Sequence, residues 1–370
     1  MKTLILSIAL ACFVIQPATA QPSDAVNWCE LANSRPLSNE ARRELRTLLD
    51  THLSALIDSE DPIEVDEARR ALIEPLDCPA VSADFRRQYA NDAKQGLLEV
   101  IGGDRTHNTS AALALAGAIA TERSATDILD VALEKDSPAV RYAAARAYRR
   151  TLASMASDSV QQQRNAAVEL AGELARSTIP EEDDPLVVSA LLASLASMEG
   201  DFASHERGLA YLAEATTALS KRLRTQAQDA YTDPRWPRAM VLAFNELESE
   251  LLDPAKEQRF SSNLKVDIAI AAGQGMAFVN SALAQMLPAD DESPEATTAL
   301  RDLAVSAETV AILADRSLNN SVNPRRLGNA FDDAITENGA RAFFLASDSW
   351  IGASGKLLNA PYSAQANEFR

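Results

Sequence analysis

Aromatic residues are scarce in this chain, at 5% of its 370 positions. That weighs against a sugar-binding cleft, which needs aromatic platforms. It also argues against sheets, where aromatic and β-branched residues are enriched. No run alternates apolar and polar residues as a half-buried strand does, and no hairpin turn of the Asn-Gly or Asp-Gly kind is evident. Asn338-Gly339 reads as a helix stop instead. Cysteine and histidine number three each. Beyond the N-terminal run only Cys29 and Cys78 remain, and with three scattered histidines they cannot build a four-ligand zinc site from side chains of those types. No metal and no cofactor is expected. Lysine is the rarer cation, with 7 against 28 arginines, and 53 acidic residues bring the net charge to −18. A chain this acidic has no electrostatic footprint for DNA or RNA, and an anionic membrane surface would repel it.

What is present is an apolar content of 46%, much of it alanine, with 24% charged residues. This mix suits close-packed helices, so the expected fold class is all-α. The length leaves room for two or three units. Lys2, an apolar run from Leu4 to Ile15, the helix breaker Pro17 and the small residues Ala18-Thr19-Ala20 together read as a secretory signal peptide over 1–20, cleaved after Ala20. The run is too short for a membrane anchor. Cys12 is a poor lipoprotein cysteine, because Ala9 precedes it and cleavage there would halve the apolar core. No later stretch reads as long and apolar enough to span a membrane, so the mature chain is expected to be soluble, exported to the periplasm or cell exterior, with a net charge of −19. In an oxidising compartment Cys29 and Cys78 are expected to form a disulfide. Two buried free thiols are the alternative.

Helix starts are legible as a cap-forming residue followed by proline: Asp61-Pro62, Ser137-Pro138, Asp184-Pro185, Asp253-Pro254, Ser293-Pro294 and Asn323-Pro324. The polar side chain accepts a bond from a free first-turn amide, and proline at the first position forfeits no bond. Asp61 with Glu64, and Ser124 with Asp127, have capping-box spacing. Between Thr106 and Met155 two small-residue helices, Thr109 to Ala116 and Val140 to Ala147, lie 31 residues apart. The helix between them places Ile128, Leu129, Ala132 and Leu133 on one face. In the second copy Val140, Ala144, Ala147, Tyr148, Leu152 and Met155 share a stripe, while Arg146, Arg149 and Arg150 face away.

This pair of short helices, with Asp136-Ser137-Pro138-Ala139-Val140-Arg141 leading into an alanine-rich helix, resembles a HEAT-like repeat. Asp184-Pro185-Leu186-Val187-Val188 is a weaker echo, with Val188 where the pattern has arginine. The clear resemblance covers about residues 106–155 and implies an α-solenoid in which each repeat packs on its neighbours. The second half has a different period. Leu209, Leu212, Thr216, Leu219 and Leu223 are spaced 3-4-3-4. So are Leu264, Ile268, Ala271, Gly275, Phe278 and Ala282, and again Leu300, Leu303, Ala307, Val310 and Ala314. These are narrow seams of long helices, with Ala271 and Gly275 small enough to admit a close neighbour. The expected organisation is a HEAT-like helical repeat region over 21–200, a long-helix bundle over 201–360 and a polar tail over 361–370.

Chemical motifs fail one by one. His205-Glu206 opens a zincin-like motif, but position 209 is Leu. Gly273-Gln274-Gly275 lacks a third glycine and a preceding strand. Gly355-Lys356 lacks the rest of a phosphate loop. Ser262-Asn263-Leu264-Lys265 matches the S-x-x-K of penicillin-recognising enzymes, but no K-T-G follows, and a capped helix start with an exposed lysine is the plainer reading. The acidic runs Glu181 to Asp184 and Asp290 to Glu292 lack the ligand spacing of a calcium loop and read as solvated linkers. The segment Tyr231 to Trp236 is either a rigid aromatic contact loop or a plug at the end of a helix pair. No catalytic residue is nominated. The expectation is an exported protein-interaction or scaffold protein with a protein partner, basic if the acidic excess governs. Trp236 and Trp350 are candidate contacts, provided they are exposed. The alternative is a helical envelope enzyme acting on polysaccharide or peptidoglycan through paired carboxylates.

Overall fold

The computed structural model describes residues 26–226, 229–289, 293–319, 321, 323–335, 340–365 and 367–369. The signal peptide expected over 1–20 and the acidic run at 290–292 lie outside the described residues. Among the described residues all regular structure is helical.

The chain opens with α1 (Trp28–Asn33), α2 (Asn39–Asp58) and α3 (Pro62–Ile73). A disulfide joins Cys29 to Cys78, with Cα atoms 5.2 Å apart, and ties α1 to the turn beyond α3. Next come α4 (Ala83–Gly102) and α5 (Thr106–Ile119). Then α6 (Glu122–Ser124) passes through a π turn at 125–129 into α7 (Asp130–Leu133), followed by α8 (Pro138–Ala156). The pattern repeats: α9 (Gln161–Glu173), a second π turn at 174–178 and α10 (Ile179–Glu181) precede α11 (Pro185–Ala196). Longer helices follow as α12 (Phe202–Thr225), the short α13 (Asp229–Thr232), α14 (Arg235–Leu252), the short α15 (Pro254–Glu257), α16 (Ser262–Ala289) and α17 (Pro294–Asn319). The last two are α18 (Leu327–Asp333) and α19 (Arg341–Ile351).

These helices stand in two ranks. In the first, α2 packs on α4, α4 on α6, α6 on α9, α9 on α12, α12 on α16 and α16 on α19. In the second, α3 packs on α5, then α5 on α8, α8 on α11, α11 on α14, α14 on α17 and α17 on α18. The change expected near residue 200 is present in helix length but not in neighbour order, since α9 to α12 and α11 to α14 continue both ranks across it. The apolar seams face between the ranks. Leu209, Leu212, Leu219 and Leu223 are buried, as are Leu300, Leu303, Ala307 and Val310. Gly275 is where α16 meets α14, and a Cβ there would lie 2.8 Å from Cε2 of Phe244.

Arginine clamps close several of the loops between ranks. Arg105 donates to the carbonyls of Ile57 and Asp58 at 3.0 and 2.9 Å. Arg141 donates to the carbonyls of Lys135 and Asp136, each at 2.9 Å, and grips the buried Glu182 carboxylate through two further 2.9 Å bonds. Arg222 donates to the Glu182 carbonyl at 2.7 Å. Each guanidinium satisfies carbonyls at or just beyond a helix end, which lack intrahelical partners. The run Glu181 to Asp184 is therefore not a solvated linker. Glu182 is locked to Arg141, and Asp184 caps α11 through the amides of Leu186 and Val187.

Other expectations need correcting. The cap after α5 is Thr121, boxed with Ser124, so Ser124 is inside α6 rather than before it. Asp61 caps α3, but Glu64 turns to the hydroxyl of Ser59 and completes no box. Asn323-Pro324 starts no helix, and Asn323 instead donates to Asp315 at 2.6 Å. Ser262–Met286 within α16 is long and apolar enough to cross a membrane, with mean hydropathy 1.3, contrary to the expectation that no later stretch is. In this fold 72% of its most apolar stretch is buried, and its helix packs on α12, α17 and α19. The tail beyond 361 is anchored by the buried Tyr362 and Phe369. Tyr362 donates to Asp315, a fully buried carboxylate at the end of α17 that also accepts bonds from Asn319, Ser321 and Lys356.

Candidate binding grooves

The residues nominated from sequence separate into structural roles. Trp236 is 7% exposed and Trp350 4%, so neither meets the condition of exposure set for a contact residue. The Arg222 guanidinium lies 5.3 Å above the Trp236 ring, and the Lys356 ammonium lies 5.7 Å from the Trp350 ring. Tyr231 is fully buried against Phe278, so the segment 231–236 turns its rings inward. Lys265 is 8% exposed rather than exposed, and it donates to Glu257 at 2.8 Å. The helix cap before it is Ser261, whose hydroxyl receives the Leu264 amide. His205 bonds to Glu250 at 2.8 Å, and Glu250 accepts from Lys256 at 2.8 Å, which joins α12 to α14 and α15.

Two open grooves stand out among the described residues. The first, of about 650 Å³, lies between α8 and α11, with Glu246 of α14 at its edge. On α8, Tyr142, Arg146, Arg149, Arg150 and Ala153 follow a helical stripe. On α11 the facing stripe is Leu186, Ser189, Ala190 and Ala193, small beyond its first member, and this leaves the space. The helices are held close behind the groove. Ser194 Oγ donates to the Ala145 carbonyl at 2.9 Å, and Ser197 Oγ to the Arg149 carbonyl at 3.0 Å. The three arginines are exposed. Arg150 pairs with Asp77, while Arg146 and Arg149 form no ion pair among the described residues. Tyr142 is 40% exposed and Leu186 53%.

The second groove, of about 640 Å³, lies between α7 and α10. Asp130, Glu134, Asp136, Glu173, Glu181 and Asp183 line it, with Lys135 and Arg141. Both π turns border it, one ending at Asp130 and the other starting after Glu173. Such turns are frequent at functional sites. Burial pushes the Asp130 carboxyl above its ordinary range, the Tyr148 hydroxyl bonded to it pulls the other way, and the nearby Glu173 and Glu134 charges raise it further.

The chain matches no family model and no curated protein. It is similar to engineered proteins solved by the Northeast Structural Genomics Consortium. One is 17% identical with a TM-score of 0.32, over 72% of this chain and 97% of that one. A second is 18% identical with a TM-score of 0.28, over 88% and 87%. Likenesses this slight carry no argument about fold or function.

The arginine groove was not nominated from sequence, although Arg146, Arg149 and Arg150 were placed on the outward face of their helix. The signal was there in part: three cations and a tyrosine at i, i+4, i+7 and i+8. What sequence does not reveal is that α11 turns a face of serine and alanine toward them.

Proposed function

We propose that this chain is an exported binding or scaffold protein that holds a macromolecular partner against its second rank of helices. The observation that carries this reading is the groove between α8 and α11, where Tyr142 and Leu186 stand exposed beside Arg146 and Arg149, two arginines with no ion-pair partner among the described residues. Open grooves of this size that combine apolar walls with a few convergent charges are typical of binding sites. Export is supported by the Cys29–Cys78 disulfide, since such bonds persist in oxidising compartments. We further read the two ranks as a HEAT-like solenoid. The regular neighbour order and the recurring arginine clamps support it, and both favour one array over a solenoid joined to a separate bundle.

The experiment is a pull-down with the tagged, oxidised chain from an envelope extract at low and high salt. A protein partner recovered in stoichiometric amount is the expected result. The enzyme reading rests on a different observation, the raised carboxyl of Asp130 among the acids of the second groove. Cleavage of peptidoglycan or polysaccharide by the purified chain, lost in Asp130→Asn, together with no partner in the pull-down, would replace binding with catalysis.

A further inference from the structure

We propose that the groove between α8 and α11 takes an extended acidic peptide segment carrying apolar side chains, an inference that rests on the binding reading above. The charge argument starts from Arg146 and Arg149. Both are exposed, both line the groove, and neither has a carboxylate partner among the described residues, in a chain with 53 acidic residues available to supply one. Like charges four apart on a helix, such as Arg146 and Arg150, are destabilising by a few tenths of a kcal/mol. An arginine pairs best with a carboxylate or phosphate through two parallel bonds. The natural occupant is therefore anionic.

Its class follows from what surrounds the arginines. Tyr142 and Leu186 leave a large share of their apolar surface open at the same groove. The same groove also carries two carboxylates, Glu199 and Glu246. A phosphate polymer would be repelled where it ran past those two carboxylates, and it offers nothing to Leu186. A peptide meets all three demands, because successive side chains differ: acidic ones turn to α8, apolar ones to Tyr142 and Leu186, and neutral or basic ones to the Glu246 side. Ser189, Ala190 and Ala193 give it a floor low enough for a backbone to lie along.

The test is selection from a random dodecamer peptide library displayed on phage, against the full oxidised chain and against the Arg146→Ser/Arg149→Ser variant. Neither arginine makes an ion pair among the described residues, so circular dichroism and thermal melting of the variant should match the parent. Expected are selected sequences that combine two or more Asp or Glu with Leu, Phe or Tyr. Their binding, followed by fluorescence anisotropy, should weaken at least tenfold in the double variant and again when salt is raised to about 0.5 M, where surface charges are strongly screened. Leu186→Ser should weaken it several-fold without changing the salt dependence. Basic sequences, no enriched sequence, or binding indifferent to the double substitution would overturn the proposal. So would inorganic polyphosphate that binds as tightly as the peptide and ignores Leu186→Ser. A partner captured equally by parent and double variant in the envelope pull-down would leave the binding reading standing and remove this assignment alone.

Discussion

Arg141→Met should cost about 3 kcal/mol of stability, most of it from the stranded carboxylate of Glu182. Arg141 and Glu182 are 16% and 6% exposed at their side chains, and two 2.9 Å bonds join them in bidentate fashion. Removing one partner of a buried pair typically costs 3–5 kcal/mol, because the remaining charge is left in a low-dielectric site. The lower end applies, since Glu182 Oε1 keeps the Asp184 amide at 2.8 Å and both side chains border the open groove between α7 and α10, where water can reach them. The carbonyls of Lys135 and Asp136 also lose their donor, but Asp136 is exposed and water can replace it. Arg141→Lys should fall between, since an ammonium cannot make the two-pronged contact. Urea denaturation of the oxidised chain, followed by circular dichroism, measures the total. Hydrogen exchange at amides 134–142 localises it, which matters because segments of a chain can open separately. In a double-mutant cycle with Glu182→Gln the coupling should reach about 1.5 kcal/mol or more. A loss under about 1 kcal/mol for Arg141→Met, or additive single effects, would show that the clamp holds nothing and refute the argument.

Two further substitutions test the packing and the buried charge. Gly117→Ala gains about 1 kcal/mol of helix propensity, but the new Cβ would sit 2.8 Å from the Ala147 carbonyl oxygen and 3.0 Å from its Cα, backbone atoms that cannot swing aside. Overpacking of this kind costs about 1–3 kcal/mol, so chemical denaturation should show a net loss, and a gain would sink the close approach of α5 and α8. Asp315 is buried, which opposes its charge, yet bonds from Lys356, Ser321, Asn319 and Tyr362 outweigh that and hold its carboxyl well below the usual range. Its contribution is thus fully present above the unfolded carboxylate value of about 4 and is lost as pH falls below it toward the folded value. Asp315→Asn should flatten the acid limb of stability against pH, measured by denaturation from pH 6 to 2.5, and an unchanged slope would contradict the lock.

The all-helical fold was legible because its signals are local. A cap residue and a following proline announce a helix through two neighbouring positions, and Asp61, Asp184 and Asp253 do accept first-turn amides as that pattern implies. The same pattern misled at Asn323-Pro324, where Asp315 captures the asparagine from eight residues away. The tertiary demand of a buried carboxylate outcompeted the local cap. The two ranks were half legible. Seam residues such as Leu212 and Leu303 showed which face is buried, but not which helix buries it, so a change of helix length near residue 200 read as a change of architecture. From sequence the segment ending at Trp236 reads as either a contact loop or a plug at the end of a helix pair, and only the fold shows Arg222 stacked over a nearly buried Trp236.

Net charge misleads in a related way, because it sums over distances at which charges no longer act. At about 0.1 M salt the screening length is about 10 Å, so a ligand lying on α8 responds to Arg146, Arg149 and Arg150 before it responds to carboxylates on distant helices. The groove's own acids are Glu199 and Glu246, and Asp77 is already engaged by Arg150. The two grooves therefore have opposite local character in a single acidic chain, cationic and apolar between α8 and α11, anionic between α7 and α10. The global excess then has its effect at longer range. If the groove takes an acidic peptide as proposed, this excess favours one that is short and locally charged over a long polyanion. Selectivity for a modest acidic segment over a polyanion follows from the two scales acting in sequence, and it should narrow as salt shortens the longer one.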